Sequence, residues 1–489
     1  MPKYIGLTIG PIYDTMIGAK KIKEIWVASY VFSYIMRKIV DEFREYGYEI
    51  LIPAYDIERN TQTTGNLPDR FIFKSKEDGD FEKLKKSIDT VLEGLGNEYG
   101  QNNLGNYFQT YFLEKEFETD EYRRIVKDIY KYLDSFDNMK KFSDEYMDII
   151  RILMPDDKRK RFLFEEAGYK SGEKKFPLLS EIATAEYEDF HKNNKKFGSD
   201  EDDKLYENLS KHLAESKQPK LLKPYKYIAV VSFDGDDFGK KLENMKNKEK
   251  YKEFSKKVSE FSSNAADKIL EYGGLPIYAG GDEALFVAPV INSNAPAKNI
   301  FRFIDTLKAE FKEQLKEYGD NGGISISFGI SISYYKFPIG ESIKQSYDLL
   351  EEAKNNEGKN LIAFKLMKHS GQSSKSIFKI DSEEYNGFLK VVDERTNFNL
   401  LSSILFKMEN FENFFKSIIE FKDKESKIEN FFENFFNEEI HKQNREVINN
   451  IKDFFLKQLK SPNIKPENLF SNFFNSLRLI KFLGESINE

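Results

Sequence analysis

Residues 275–288, LPIYAGGDEALFVA, constrain this chain more than any other stretch. Two short apolar runs flank Gly280-Gly281-Asp282-Glu283, and paired glycines give the backbone the freedom that a tight link between antiparallel strands needs. The segment reads as a β-hairpin with two acids at its tip. Upstream, YIAVVSF (227–233) is a continuous apolar strand ending in Asp234-Gly235-Asp236-Asp237. Pairing of that strand with the hairpin would put Asp234 beside Asp282. Either acidic motif alone is most simply a polar turn. Both together, at the ends of apolar strands with a helix between them, define a site.

Carboxylates that converge without a basic partner repel one another. A hard divalent cation, Mg²⁺ or Mn²⁺, would relieve that cost. Mg²⁺ takes one or two carboxylates together with substrate phosphates, and an ion so placed supports in-line displacement at phosphorus. Asp234, Asp282 and Glu283 are the expected metal ligands and catalytic groups. A lysine near such a site would bind phosphate oxygens as a point charge, and Lys354, closing the run Glu351-Glu352-Ala353-Lys354, is the candidate.

The segment 225–368 continues through a helix, strand ISISFGISIS (324–333), a second helix and strand LIAFKLM (361–367). That is an α+β unit of ordinary domain size. Ser325, Ser327 and Ser331 are expected to face a helix or solvent. Nearer the start, YIGLTI (4–9) reads as a strand stopped by Gly10-Pro11, followed by a helix from Asp14 to Tyr46 and strands at Tyr48–Tyr55 and Arg70–Lys74. Strands joined by helices indicate a second sheet. From about residue 80 to 220 charged helical segments dominate, notably 81–95 and 121–154. The runs KRKR (158–161) and SDEDD (199–203) read as solvated faces. Beyond Gly371 the chain is helical and rich in Phe. Phe411, Phe414, Phe415 and Ile418, then Phe431, Phe432, Phe435 and Phe436, recur at helical spacing, the signature of a bundle core or a docking face.

Composition narrows the chemistry. With no Cys there are no disulfides, thiolate metal sites or cysteine nucleophiles. The four His are never followed by Asp, which excludes a nuclease centre built on a His-Asp pair. A net charge of −7 means that contact with nucleic acid is local or shared with partners; Lys20, Lys21, Lys23 and the 158–161 run are candidates. The first residues do not form a signal peptide and no long apolar run spans a membrane, so a cytoplasmic location is expected.

At the acidic motifs the chain resembles a known family. DGDDFGKKL, LPIYAGGDEALFVAPV, SISFGISI and EEAKNNEGKNLIAFKLMKHSG resemble the catalytic palm of the large subunit of type III CRISPR effector complexes and, more distantly, GGDEF diguanylate cyclases. IGPIYDTMIGAKKIKEIWVASYVFSYIM, NLPDRF (66–71) and FPLLSEIAT (176–184) resemble other parts of the same subunit. The resemblance implies an α+β fold of two ferredoxin-like palms with a helical insertion and a C-terminal helical bundle. The boundaries expected are 1–95 for a degenerate first palm, 96–224 for the insertion, 225–370 for the catalytic palm and 371–489 for the bundle.

It also implies function: guide RNA held through other type III subunits, a target RNA that switches the palm on, and ATP joined into cyclic oligoadenylate with release of pyrophosphate. Gly235, Asp236, Gly280, Gly281 and Lys354 would bind nucleotide, with a second nucleotide against the first palm near Asp14 to Ser29. Departures from the family matter. A His-Asp nuclease domain and a four-Cys zinc module are missing, so neither DNA cleavage nor zinc is expected, and Glu283 replaces the usual second Asp of the turn. Asp69 stands where the family more often has Asn. Some family members join ATP to S-adenosylmethionine, and a carboxylate at 69 would suit that cationic acceptor; otherwise Asp69 pairs with Arg70 or a surface Lys. A catalytically silent structural subunit and a free-standing diguanylate cyclase are the competing readings.

Overall fold

The computed structural model describes residues 1–53, 64–119, 121–137, 149–154, 161–169, 176–193, 202–216, 221–238, 248–318, 324–356, 358–394, 398–418, 421–436 and 442–486. The first sheet contains β1 (Lys3–Gly10), β2 (Glu49–Ile52), β3 (Arg70–Lys74) and β4 (Gln109–Glu116), with helices α1 (Ile12–Ile17), α2 (Ile22–Glu45), α3 (Asp80–Tyr99) and α4 (Tyr122–Asp137). Short helices follow: α5 (Ile149–Leu153), α6 (Phe162–Glu166), α7 (Leu179–Ala183), α8 (Glu188–Asn193) and α9 (Asp202–Glu215). The second sheet contains β5 (Tyr227–Gly235), β6 (Leu275–Gly280), β7 (Glu283–Pro289), β8 (Ile326–Tyr334), β9 (Leu361–Met367) and β10 (Ser373–Lys379). Its helices are α10 (Lys248–Glu271), α11 (Ile300–Gln314) and α12 (Ile339–Asn355). The bundle comprises α13 (Glu383–Asp393), α14 (Phe398–Asn410), α15 (Glu412–Ile418), α16 (Lys424–Phe435), α17 (Arg445–Lys460) and α18 (Pro466–Leu483).

Both sheets are built on one plan. The first runs β2-β3-β1-β4 and the second runs β6-β7-β5-β8, extended by β9 and β10. Each places its first strand between the third and the fourth, the ferredoxin-like arrangement. One face of each sheet is closed by the helices within the repeat. In the second, Phe233 of β5 packs toward Phe261 of α10, which meets Phe311 of α11. The other face is closed by the helix that follows the fourth strand, α4 in the first palm and α12 in the second. Gly6 of β1 lies under Ile129 of α4, and Ser232 of β5 donates to the Ser346 carbonyl of α12 at 2.8 Å. Gly329 of β8 brings the α12 backbone so close that a Cβ there would collide with the Ser346 carbonyl and the Leu350 amide.

Several sequence expectations shift. β4 and α4 belong to the first palm, so its sheet runs past the boundary expected at 95. The motif QTYFLEKE is half polar because β4 is a partly solvated edge strand. β10 extends the second sheet past 370 and is covered by α18, where Asn472 Oδ1 accepts from the Ile377 amide at 2.8 Å. The helix expected over 14–46 breaks between Gly18 and Lys21, where Glu24 Oε2 accepts from the Lys20 and Lys21 amides at 2.9 and 3.0 Å. That break lets α1 turn onto the second palm: Gly340 of α12 meets the Ile17 carbonyl, and Tyr13 meets Tyr347 edge-on at 5.3 Å. The strand expected over 48–55 runs from Glu49 to Ile52; 54–63, 158–160 and 199–201 lie outside the described residues. Of the Phe stripes, Phe415, Phe431 and Phe432 are core, whereas Phe411 and Phe414 are exposed. Among the described residues, no helix is long and apolar enough to cross a membrane.

Candidate active site

The hairpin forms as expected. β6 and β7 pair Gly280 with Glu283 across a turn in which Gly281 adopts φ +66, a left-handed value open to glycine at little cost. β7 pairs with β5 so that Asp234 lies directly opposite Glu283, and the Gly235 amide donates to the Asp282 carbonyl at 3.0 Å. Gly235 has no room for a side chain: a Cβ there would sit 2.9 Å from Asp282 Oδ2 and against the Phe238 ring. The three expected acids therefore lie near one another at the end of β5 and the start of β7, close enough to act on one another's charge.

Their electrostatics fit a cation site. Burial, with Asp234 as the nearest charge, raises the Asp282 carboxyl above its ordinary value. Burial and the charges of Asp234, Asp282 and Asp69 push Glu283 up to about 8. Asp282 is half-buried and Glu283 exposed in the cleft where the first palm faces the second, so water there moderates the push. Burial also raises Asp234, but Lys354 opposes it. Lys354, in the last turn of α12, sets its Nζ 2.5 Å from Asp234 Oδ1 and 3.4 Å from the Gly235 carbonyl. This corrects the expectation of acids without a basic partner. A Lys ammonium occupies the place where positive charge is most favoured.

Among the described residues, no group of three or more acidic or imidazole side chains is gathered as a ready-made metal cage. The donor set still suits Mg²⁺ or Mn²⁺, because Mg²⁺ is commonly held by one or two carboxylates with phosphate and water completing the shell. Asp234 and Asp282 are the pair that would hold it, beside the Gly235 carbonyl, with Glu283 adjacent.

Asp236, expected to bind nucleotide, has partners within the fold. It is buried and fully engaged as an acceptor: from Ser325 Oγ at 2.7 Å, from Ser327 Oγ at 2.9 Å and from the Asn360 amide at 2.9 Å. Ser325 and Ser327 thus face a carboxylate rather than a helix or solvent. Asp236 ties β5 and β8 to the turn after α12, where Lys359 and Asn360 take positive φ and Lys359 pairs with Asp237 at 3.0 Å. The link anchors the element that carries Lys354.

The first palm faces this site. The Ala279 amide of β6 donates to the Gly65 carbonyl at 2.9 Å, joining the β2–β3 connection to the second palm. Ser29 and Ser33 of α2 lie buried behind that connection, whereas Lys20, Lys21, Lys23 and Asp14 are exposed. Asp69 is close enough to act on Glu283, and both Asp69 and Asp282 act on the half-buried Tyr130. Arg70, expected from the sequence as the alternative partner of Asp69, approaches it at 3.9 Å, pairs more closely with Asp134 of α4 at 2.7 Å and lies over the Tyr130 ring at 4.6 Å.

Residues 227–363 match the Cas10/Cmr2 second palm domain, and residues 4–99 match the N-terminal domain of CRISPR-associated protein Cmr2. A CRISPR system Cmr subunit Cmr2 from Pyrococcus furiosus is 29% identical over 174 residues, 30% of this chain and 19% of that protein. The matched stretch thus spans about a fifth of that relative's length. The fold is similar to a chain of the Type III-B Cmr-beta apo structure, with TM-score 0.57 at 12% identity over 99% of this chain and 82% of the other. It is also similar to one in the Csm1-Csm4 cassette with pppApA, with TM-score 0.52 at 11% identity over 99% and 69%. Two matched domains over a duplicated palm agree: the chain is a Cmr2/Cas10-like large subunit of a type III CRISPR effector complex.

Proposed function

We propose that this chain is the target-RNA-activated nucleotidyltransferase of a type III CRISPR effector complex, joining ATP into cyclic oligoadenylate with release of pyrophosphate. The observation that carries the reading is the meeting of Asp234, Asp282 and Glu283 at one strand end with Lys354 on Asp234. A Mg²⁺ ion held by Asp234 and Asp282 would neutralise charge on the transferring phosphoryl group. Lys354 reaches the same place and would take up triphosphate oxygens on leaving Asp234. Glu283 holds its proton more tightly than an ordinary carboxylate, which suits an acceptor for the proton of an attacking ribose hydroxyl. Gly281 leaves the turn backbone bare for the phosphates, whereas the Tyr278 phenol lies against Gly280. Partners would be the other subunits, guide RNA and target RNA. Support comes from relatives of the same fold: one was captured with pppApA, another in a Cmr-beta complex on cognate target RNA.

One observation favours a second acceptor. Asp69 adds negative charge on the first-palm side of the cleft, beside Glu283. A cationic acceptor such as S-adenosylmethionine would be drawn there, giving an adenylated messenger. Mass spectrometry of products from the reconstituted complex with target RNA, Mg²⁺ and ATP, with and without S-adenosylmethionine, tests both readings against an Asp282→Ala/Glu283→Ala control. Cyclic oligoadenylate lost in the control supports the first, and a methionine-containing product lost in the control supports the second. No product under any condition leaves a structural subunit.

A further inference from the structure

The far end of the second sheet carries a different kind of site. There the β9–β10 turn abuts the bundle, and α14 and α18 leave a cavity of about 270 Å³ between them. Each helix lines it with a stripe at helical spacing: Ser402, Phe406 and Glu409 from α14, and Phe474, Arg478 and Lys481 from α18. Lys368 and Gln372 of the turn close one side. Two features are unusual. Phe406 is 65% exposed at the rim, although it belongs to a helix with an apolar face available for burial. The Arg478 guanidinium lies over the Phe474 ring at 4.4 Å, while its pairing with Glu409 is long at 3.7 Å.

The charge is crowded and positive. Lys368, Arg478 and Lys481 line the cavity against the single acid Glu409. Behind them Glu485 is shared between Lys368 and Lys223. Burial holds Lys368 below the ordinary lysine range, Lys481 and Lys223 add to that, and Glu485 only partly offsets it. An anion entering here would meet clustered cations, and a flat ring would meet an exposed phenyl and an aromatic-backed guanidinium. Bases in single strands are held in this way, stacked on aromatic rings or guanidinium planes with basic groups on the backbone.

We infer that this cavity binds one unpaired nucleotide of a single-stranded nucleic acid, its base on Phe406 and its phosphate toward Lys368, Arg478 and Lys481. Ser402 and Gln372 are placed to meet a ribose hydroxyl, so RNA is the expected strand. β9 runs from the Asp236 end of the sheet to this end, so the cavity is separate from the acidic cleft.

The test is fluorescence anisotropy of the full chain with an unstructured, end-labelled RNA oligonucleotide, beside the same sequence in DNA. Mapping of photo-crosslinks from thiouridine-substituted RNA accompanies it. Phe406→Ala should weaken RNA binding about tenfold, and Phe406→Trp should retain it, since stacking and not packing is at stake. Arg478→Glu should weaken binding and flatten its salt dependence by about one phosphate contact. Asp282→Ala/Glu283→Ala should leave RNA binding unchanged, so failure of this site and failure of the proposed catalysis are distinguishable. RNA held more tightly than DNA identifies the ribose-reading strand, and equal binding with the same loss in Phe406→Ala identifies any single strand. Unchanged binding in both Phe406→Ala and Arg478→Glu, or crosslinks confined to other surfaces, would overturn the inference. So would a protein partner as the only molecule whose binding Phe406→Ala abolishes.

Discussion

The two palms share a fold and a register but carry opposite charge logic. In the first, Thr8 lies opposite Arg70 and the Ile9 amide donates to the Asp69 carbonyl; in the second, Asp234 lies opposite Glu283 and the Gly235 amide donates to the Asp282 carbonyl. Thr8, Asp69 and Arg70 therefore occupy the stations of Asp234, Asp282 and Glu283. The helix after the fourth strand answers each. In the second palm Lys354 of α12 reaches an acid on the sheet, whereas in the first Asp134 of α4 reaches a base on the sheet. One acid, Asp69, survives in the first palm, already next to Arg70. The duplicated scaffold thus leaves three acids against Lys354 on one side of the cleft and, on the other, a smaller excess in which Arg70 stands between Asp69 and Asp134. Only the former would gain from a divalent cation.

The sharpest way to break this contrast is to give the second palm the residue of the first. Asp234→Thr should cut nucleotide product by about a thousandfold or more, roughly 4 kcal/mol of barrier, with the thermal midpoint shifted by only a few degrees. Radiolabelled ATP turnover and a melting curve check it together.

Packing offers the next contrast. Gly329→Ala drives a Cβ into the α12 backbone and should cost about 3 kcal/mol. Gly6→Ala meets the Ile129 Cγ2 methyl at 2.7 Å, side chain rather than backbone, and should cost less, about 1–2 kcal/mol. Denaturant unfolding of each variant measures the difference, and equal costs would deny that α12 is seated more tightly than α4.

Lys354→Met should raise the KM for ATP about tenfold while changing kcat less, because a phosphate contact is lost before the chemical step. A drop in kcat alone would assign Lys354 to Asp234 instead.

The smallest effect is on the first palm's stability. Burial alone would raise Asp80, but the Tyr48 hydroxyl, the Lys76 and Glu77 amides and Ser75 hold it below the usual range. A lowered folded pKa means that its contribution, about 1–3 kcal/mol, is present above pH about 4 and lost as pH falls further. Melting temperature against pH should therefore show a shallower acid limb for Asp80→Asn than for the parent.

Much of the second palm could be read from sequence because its signals are local. The Gly-Gly turn, the apolar runs on either side and the acids at their ends lie within a few residues of one another. What escaped the reading depends on contacts across the fold. Lys354 meets Asp234 only because α12 crosses β5, and Asp236 turns inward only because Ser325, Ser327 and Asn360 converge on it. In the first palm the β2–β3 connection is long where the second has a tight turn, so the equivalence of Asp69 with Asp282 cannot be counted along the chain. β4 and α4 were hidden for another reason: an edge strand with one solvated side has too polar a pattern to stand out from a charged helical stretch.

The most direct test of the contrast is calorimetric titration of the full chain with ATP in the presence and absence of Mg²⁺. Asp234→Thr/Asp282→Ala would be set beside Asp69→Asn. The account predicts Mg²⁺-dependent ATP binding that the second-palm variant loses and Asp69→Asn retains. Binding that survives the second-palm change, or that vanishes only with Asp69→Asn, would contradict it.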